Sequence, residues 1–512
     1  MIECNNVQKQ SKTKTLRQVL KDFVSVPDSV NKKISGIVLD SREVIDKSCF
    51  FALGGTRRNG NDYIKDAVSK GAVAVVSDNI SAKEQCNNLA IPIFVVPNLK
   101  DYLGSIANRF YDNPSKAITI IGVTGTNGKT SITYLLKQAL QNWNKSCLYI
   151  GTLGAGTSEF SDFVSMSNTT PDIFKINSLL HTYVSGGATH CALEVSSIGL
   201  DQNRIQDLDL DVAVFTNISH DHLDYHGDLE SYKKAKAKLF NLKNLKCAII
   251  NIDDKFGEIL AESLKDKVEI FRVSLNENNF KANGQVVVAK NIYFSEEGCS
   301  FNLLYKSNSY FIRSKLFGRF NISNLMAVAA CLISQNIPIE EVTKLVSSLE
   351  GIPGRMEKCG MNSANCPIYI DYAHTPTALE NALMSLREIY PNPNTQLHLV
   401  FGCGGNRDRK KRAFMGSIAE RYADSIILTS DNPRNEDPLA IIDDILKGSE
   451  DRSKFIVNTK RESAISLSLT KAEKNSIILI AGKGHEEYQE IGAERNFFSD
   501  KLTVRRLLEE KL

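Results

Sequence analysis

The sequence predicts an α/β protein built on parallel, doubly wound sheets, and three observations carry that prediction. Short apolar runs recur at 117–123, 190–195, 212–216, 368–370, 397–401, 426–429 and 477–480, each followed by a turn and, repeatedly, a helical stretch. Strands that alternate with helices form parallel sheets covered on both faces. Most of the chemically interesting residues fall just after these runs, where ligands sit in such sheets. The third observation is length: at roughly 100 to 200 residues per domain, 512 residues suggest three domains.

Taken in order, residues 1–33 are polar and read as a partly ordered lead-in. A seam falls at 111–115 (YDNPS), ahead of the 117–123 run, and a helical pattern through Leu135, Leu136 and Leu140 follows that run. Segments 285–289, 300–305 and 309–313 alternate as antiparallel strands do, and predict a meander inside the middle domain. A second seam falls at 350–354 (EGIPG). The expected domains are therefore 1–114, a smaller α/β unit; 115–351, a central mostly parallel sheet of P-loop type with the added meander; and 352–512, a Rossmann-like α/β unit.

Composition narrows the function classes. The chain is 42% hydrophobic and 24% charged, as soluble globular proteins are. With 62 basic and 59 acidic residues the net charge is +3, which excludes a polybasic protein. The apolar runs 72–76 and 117–123 are too short to span a bilayer, and the N-terminus shows no segment of signal-peptide type. The 11 cysteines are scattered without a Cys-x-x-Cys pair, which argues against a disulfide framework and against a cysteine zinc site. A reduced, cytoplasmic protein is expected.

Segment 124–130 (TGTNGKT) lies between a buried-type strand and a helix. Gly125 and Gly128 let backbone approach phosphates, and amides at a helix N-terminus point at an anion. Lys129 would reach the β- and γ-phosphates and Thr130 would bind Mg²⁺. The strict motif requires Gly at 123, where this chain has Val123.

Segment 217–227 (NISHDHLDYHG) packs three His and two Asp together, a metal-binding composition that a solvated loop also shows. In 232–240 (YKKAKAKLF), Tyr232, Lys236, Leu239 and Phe240 share one helical face, while Lys234 and Lys238 point away. Desolvation would leave Lys236 a neutral amine able to take up CO₂ as a carbamate, an oxygen ligand for Mg²⁺. The alternative is a basic surface helix with a snorkelling lysine. Glu194 stands at a strand end, as acidic Mg²⁺ ligands do in many P-loop enzymes.

Together, 124–130, 194–197 (EVSS), 217–227, 232–240, 318–324 (GRFNISN), 354–357 (GRME) and 371–376 (DYAHTP) resemble the Mur ligase family. Its members are ATP-dependent enzymes that build the peptidoglycan peptide in the bacterial cytoplasm. Segments 39–42 (LDSR) and 50–55 (FFALGG) are similar to the nucleotide-sugar domain of the branch that adds the third amino acid to UDP-MurNAc-L-Ala-D-Glu. Segment 431–434 (DNPR) is similar to the members that add meso-diaminopimelate. Diaminopimelate carries one carboxylate more than lysine, and an Arg fork recognises a carboxylate bidentately.

The resemblance implies amide formation through an acyl phosphate. Gly125, Thr126, Asn127, Gly128, Lys129, Thr130, Asn321, Arg355, Asp371 and His374 would hold ATP. Lys129, Glu194, His222 and Lys236, the last as N6-carboxylysine, would be catalytic, with Thr130, Glu194, His222 and Lys236 on Mg²⁺. Leu39, Ser41, Thr56, Asn168, Thr169, Thr170, Ser196, Gln202 and Arg204 would hold the UDP-MurNAc-dipeptide. Arg407, Asp431, Asn432, Pro433, Arg434, Gly482 and Glu486 would hold diaminopimelate. Ligands drawn from three domains imply closure over ATP. No nucleic-acid or membrane partner and no obligate oligomer is expected; the basic run 407–412 reads as a solvated face with Arg407 turned inward. The chain departs from the family at Ile198, where many members of that branch carry His.

Other readings make different demands. An L-lysine-adding ligase or MurF would not need 431–434, and a folylpolyglutamate synthase would not need 39–42. A kinase or motor ATPase would need the strict phosphate loop. A silent nucleotide-binding protein would not need Lys129, Glu194, His222 and Lys236 together.

Overall fold

Valine and isoleucine runs flanked by helices form the strands, and the order of those strands positions the site. The structure is a computed structural model describing residues 12–55, 59–85, 89–281 and 285–510; Thr56, with Arg57 and Arg58, lies outside the described residues. The chain forms two compact units, one of Met1–Gly122, Asn144–Ala213 and Lys238–Lys246, the other of Val123–Trp143, Val214–Ala237 and Cys247–Leu512.

In the first unit a parallel sheet has the order Gly36–Val38, Ser48–Ala52, Ala72–Ser77, Ile93–Val95. Ser48–Ala52 is buried throughout, as a strand covered on both faces must be. Its Phe50 packs with Ile64 and Ala67 of helix Ile64–Ser69, while Phe51 meets Phe174 edge to face at 4.9 Å. His190–Glu194 runs parallel to Cys147–Gly151, and Gly154–Gly156 lies antiparallel beside it. Within the lead-in, the described residues form regular elements. Lys14–Thr15 pairs with Lys33–Ile34, and helix Leu16–Leu20, held by a Thr15–Gln18 capping box, buries Leu16, Val19 and Leu20. Three apolar residues at helical spacing suffice to anchor it.

In the second unit Cys247–Asn251, Glu269–Ser274 and Gln285–Ser295 are parallel. Gly298–Tyr305 and Asn308–Ser314 complete the expected antiparallel meander. Inward from the meander the strand order continues to Val212–Phe215 and Thr119–Thr124, the strands in which the division between the units falls. Helix Arg319–Ser334 is buried nearly all round, so its polar Asn321 and Asn324 are exceptions that need partners.

The C-terminal sheet has the order Glu357–Met361, Pro367–Asp371, Ser476–Ala481, Gln396–Phe401, Ser425–Leu428, Phe455–Val457, parallel except for its first strand. The period of two divides its residues between faces. Tyr369, Leu399 and Leu479 pack with Leu383, Met415 and Ile445; Ile370, Val400 and Ile480 pack with Ile465, Leu469 and Val504. This is the doubly wound α/β arrangement that the sequence predicts. The described cysteines are free, and no described helix is long and apolar enough to cross a membrane.

One fully buried ion pair ties the strand ends together. Arg461 binds Asp500 through Nε and Nη2, both at 2.7 Å, and Nη2 also donates to the Ala481 carbonyl at 2.9 Å. Asp500→Ala strands that charge, and the expected loss is roughly 3–5 kcal/mol of unfolding free energy. Urea denaturation checks this; a loss below about 1 kcal/mol, the scale of an exposed pair, would discard the role.

Candidate functional site

Strand Thr119–Thr124 feeds a loop into helix Lys129–Asn142. Gly125 and Gly128 have φ of +152° and +88°. A Cβ on Gly125 would lie 1.8 Å from Thr216 Oγ1, and one on Gly128 2.7 Å from Asn324 Oδ1, so both positions require glycine. Val123 is fully buried in the strand: this loop bends from Gly125. Thr216 Oγ1 donates to the Asn127 carbonyl at 2.6 Å, Asn127 N–H donates to Asn217 Oδ1 at 3.0 Å, and Thr126 N–H to the Asn217 carbonyl at 2.8 Å. Thr216 carries no sequence signal beyond its place at a strand end.

Lys129 Nζ donates to the carbonyls of Gly125 at 2.8 Å and Thr126 at 2.9 Å. Lys236 Nζ reaches the same Gly125 carbonyl at 2.7 Å. Tyr232 and Lys236 are buried on helix Leu229–Ala237; Leu239 and Phe240 are buried as expected but lie in the 3-10 turn Lys238–Asn241 that ends the helix, and Lys234 and Lys238 are exposed. Lys236 lies 4.5 Å from the centroid of the Tyr232 ring, and Tyr232 OH shares a 3.2 Å hydrogen bond with Thr126 Oγ1. Burial, then the charge of Lys129, pushes the Lys236 pKa well below the usual lysine range. The half-exposed His222 has left-handed backbone (φ 55°) and sits 3.5 Å from Asp221. Partial burial lowers its pKa, and Asp221 opposes this.

Among the described residues no three His, Cys, Asp or Glu side chains form a ready-made metal cluster. A hydroxyl, an imidazole and a buried amine able to become a carbamate suit a cation that keeps water and phosphate oxygens in its shell.

Asn321 Nδ2 donates to the Phe317 carbonyl at 2.8 Å, and its Oδ1 accepts from Asn324 Nδ2 at 3.0 Å. Arg355 Nη2 lies 3.3 Å from Thr130 Oγ1, and the guanidinium stacks 4.5 Å over Tyr372. Asp371 accepts the Met356 N–H at 2.7 Å. Burial raises its pKa from 3.8 to about 6 despite Arg355. His374 Nδ1 donates to the Tyr372 carbonyl at 2.8 Å, so Nδ1 carries the proton. Burial lowers its pKa to about 4. A Cβ on Gly354 would meet His485 N at 2.1 Å, so the 354–357 turn packs backbone to backbone against 484–485.

In the first unit Glu194 is fully buried. It accepts from Tyr149 OH at 2.5 Å, Thr152 N–H at 2.9 Å and Thr152 Oγ1 at 3.1 Å, and only a glycine at 151 leaves room for it. Thr170 Oγ1 donates to the Glu194 carbonyl at 2.9 Å and accepts the Ser196 N–H at 2.9 Å. Arg204 donates to the Thr170 carbonyl at 2.6 Å and to Gln202 Oε1 at 2.7 Å. Thr169 meets Thr152 at 3.2 Å, and Asn168 donates to Ser167 at 3.3 Å. Ser41 is buried at the start of a turn that Asp40 caps, beside the half-buried Leu39.

The residues expected to hold the amino acid lie in the second unit. Asn432 Nδ2 donates to Glu486 Oε2 at 3.0 Å, and the fully buried Lys483 binds the same oxygen at 2.9 Å. Asp431 Oδ2 is buried without a hydrogen-bond partner, and a Cβ on Gly482 would lie 2.6 Å from it. Arg434 has φ +53°, donates from Nη1 to the Gly405 carbonyl at 2.9 Å, and pairs through Nε with Glu490 at 2.8 Å. It lines a cleft of about 340 Å³ with Asn406, Glu490 and Arg495. One expectation is corrected: Arg407 is exposed, and the inward residue of the basic run is Arg412, fully buried against Glu436 and Asp444.

Three family models match in chain order: Mur ligase family, catalytic domain, at 33–111; Mur ligase middle domain at 123–332; and Mur ligase, glutamate ligase domain, at 354–484. A UDP-N-acetylmuramoyl-L-alanyl-D-glutamate–2,6-diaminopimelate ligase of Pseudomonas putida is 41% identical over 91% of this chain and 93% of its own. A solved structure of an enzyme with that name is 34% identical, with TM-score 0.67 over 98% of this chain and 99% of its own. MurF of Thermotoga maritima, solved with ADP, is 18% identical and shares the fold, with TM-score 0.63 over 95% of this chain and 99% of its own. With that identity sustained over nine-tenths of its length, the chain belongs to the Mur ligase family.

Proposed function

We propose that the protein is the ATP-dependent ligase that adds meso-2,6-diaminopimelate to UDP-MurNAc-L-Ala-D-Glu, yielding the UDP-MurNAc-tripeptide, ADP and phosphate during cytoplasmic peptidoglycan synthesis. The observation that carries the choice of amino acid is the Arg434 guanidinium, presented at a cleft by a turn fixed on both sides. Relatives named for this reaction align over nearly the whole chain.

The γ-carboxylate of D-Glu attacks the γ-phosphorus of ATP and the bond to ADP breaks. The diaminopimelate amine then attacks the acyl carbon, loses its proton, and phosphate leaves. Positioning and charge neutralisation supply most of the catalysis in such transfers. Lys129 exchanges its two loop carbonyls for the β- and γ-phosphates at the N-terminus of helix Lys129–Asn142. Asn321, Arg355, Asp371 and His374 are the further residues assigned to ATP. Bound Mg²⁺ supplies neutralisation between carboxylate and polyphosphate; Thr130, Glu194, His222 and carbamylated Lys236 are the residues assigned to it. Leu39, Ser41, Thr56, Asn168, Thr169, Thr170, Ser196, Gln202 and Arg204 are assigned to the UDP-MurNAc-dipeptide. Arg407, 431–434, Gly482 and Glu486 are assigned to diaminopimelate. Domains 1–114, 115–351 and 352–512 carry the nucleotide-sugar, ATP and amino-acid roles, and the working unit is a monomer.

Phosphate release from ATP with UDP-MurNAc-L-Ala-D-Glu is expected with meso-diaminopimelate and not with L-lysine; release with lysine alone would replace this reading by the lysine-adding one. Arg434→Ala should raise KM for diaminopimelate about ten- to a hundredfold, the worth of a charged hydrogen bond, with KM for ATP unchanged. Activity should fall in CO₂-free buffer and return with bicarbonate, because the neutral Lys236 amine is the form that takes up CO₂; equal rates in both buffers count against carbamylation. Asp371 adds a pH dependence. Its pKa is raised on folding from 3.8 to about 6, so the native state favours the protonated acid. The stability of the wild type relative to Asp371→Asn should therefore be greatest below pH 4 and fall by roughly 3 kcal/mol as pH rises through 6. Thermal denaturation of both proteins across that range checks the sign.

A further inference from the structure

The basic run at 407–412 is not uniform. Arg409 pairs with Asp444 at 2.8 Å, and Arg412 pairs with Glu436 at 2.9 Å and Asp444 at 3.0 Å. Lys410 is exposed. Lys411 differs from all three: it is half-buried, Nζ donates to the His374 carbonyl at 2.8 Å, and no carboxylate among the described residues lies within ion-pair reach. It also stands in the first turn of helix Lys410–Tyr422, a turn without acidic residues. A cation there opposes the helix dipole; the carboxylate at this helix start, Asp408, accepts the Lys410 N–H at 2.9 Å and faces His220, and it forms no ion pair with Lys411.

The surroundings point to the nucleotide. The carbonyl that holds Lys411 belongs to His374, whose neighbour Tyr372 carries the Arg355 guanidinium 4.5 Å above its ring; Arg355 in turn reaches Thr130. From the other side Asp408, just before this helix, lies 3.8 Å from His220. The adjacent Asp221 lies in the electrostatic field of both Lys411 and Lys129. The loop lysine and Lys411 thus approach one region from separate elements.

We propose that Lys411 is a further catalytic residue, whose ammonium contacts the γ-phosphoryl oxygens during transfer; this rests on the acyl-phosphate reading above. As the carboxylate oxygen bonds to phosphorus and the bond to ADP breaks, charge spreads over those oxygens. As the amine displaces phosphate from the acyl carbon, the charge leaves with the phosphate. Lys411 offsets it in both steps and transfers no proton.

Lys411→Met and Lys411→Arg, made in the full chain, test the proposal. In the Met variant kcat should fall about a hundredfold or more, the effect of removing one transition-state donor, with KM for diaminopimelate changed less than about threefold. The Arg variant should recover about a tenth of wild-type kcat or more, since the charge is kept. Calorimetry should show ADP bound equally by the wild type and the Met variant, with a non-hydrolysable ATP analogue bound at least about tenfold more weakly by the variant. A kcat within about threefold of wild type, or equal loss of ADP and analogue binding, would overturn it. If the wild type itself released no phosphate with diaminopimelate, the ligase reading would fail, and the ADP-against-analogue comparison would still decide whether Lys411 meets a γ-phosphate.

Discussion

One carbonyl oxygen ties the 124–130 loop to helix Leu229–Ala237. That of Gly125 accepts from Lys129 at 2.8 Å and from Lys236 at 2.7 Å. Two ammonium groups on one buried oxygen repel each other in a medium that screens them poorly. Lys129 stands at the more open end of the loop, so the deeper lysine is the one whose charge is suppressed. Burial lowers the pKa of Lys236 most, and the Lys129 charge on the same oxygen lowers it further. The sharing depends in turn on Gly125 having no side chain, since Thr216 occupies the space a Cβ would need.

Elsewhere, buried charge is used to fix backbone. Arg461 spends its donors on Asp500 and on the carbonyl that ends strand Ser476–Ala481. Arg412 does the same for the Gly404 carbonyl, at 3.1 Å, while paired with Glu436 and Asp444. These two guanidinium groups hold the turns that carry 431–434 and 404–407 from beneath. Removing either cation would leave a carboxylate uncompensated, which makes the pocket rigid at the cost of tolerance to substitution. Gly354 and the residue pair 484–485 add a backbone contact that no side chain could replace.

Much of this was legible in the sequence, and the exceptions have physical causes. The strands of the parallel sheets read clearly because each is a continuous apolar run covered on both faces. Strand Glu357–Met361 did not, because it is an edge strand, half-exposed and broken by Gly360. Helix Leu16–Leu20 was hidden because Leu16, Val19 and Leu20 are few among polar neighbours. The burial of Lys236 was legible from helical spacing, since Tyr232 stands one turn before it on the same helix; the 3-10 turn that carries Leu239 and Phe240 was not. Arg407 and Arg412 were not distinguishable in that way: the partners that draw Arg412 inward, Glu436 and Asp444, are remote in sequence. Thr216 had no signal, because a threonine at a strand end is common and its partner is a backbone carbonyl.

The turn at Arg434 holds a guanidinium in place at the rim of a cleft. A non-glycine residue at φ +53° stores on the order of 1–3 kcal/mol of strain. The flanking hairpin offsets it: Arg434 N–H donates to the Glu490 carbonyl at 3.0 Å, and Gly492 N–H to the Arg434 carbonyl at 2.8 Å. The side chain is engaged in the same way, with Nε on the Glu490 carboxylate at 2.8 Å. On the reading proposed above, a substrate carboxylate arriving at this guanidinium adds to a fork that the Nε pair with Glu490 has already fixed, so little is spent on ordering it. A substrate with no carboxylate there has nothing to offer Arg434. Discrimination then comes from what the wrong amino acid fails to gain, while Pro433 and the strained backbone keep the fork from swinging to meet it.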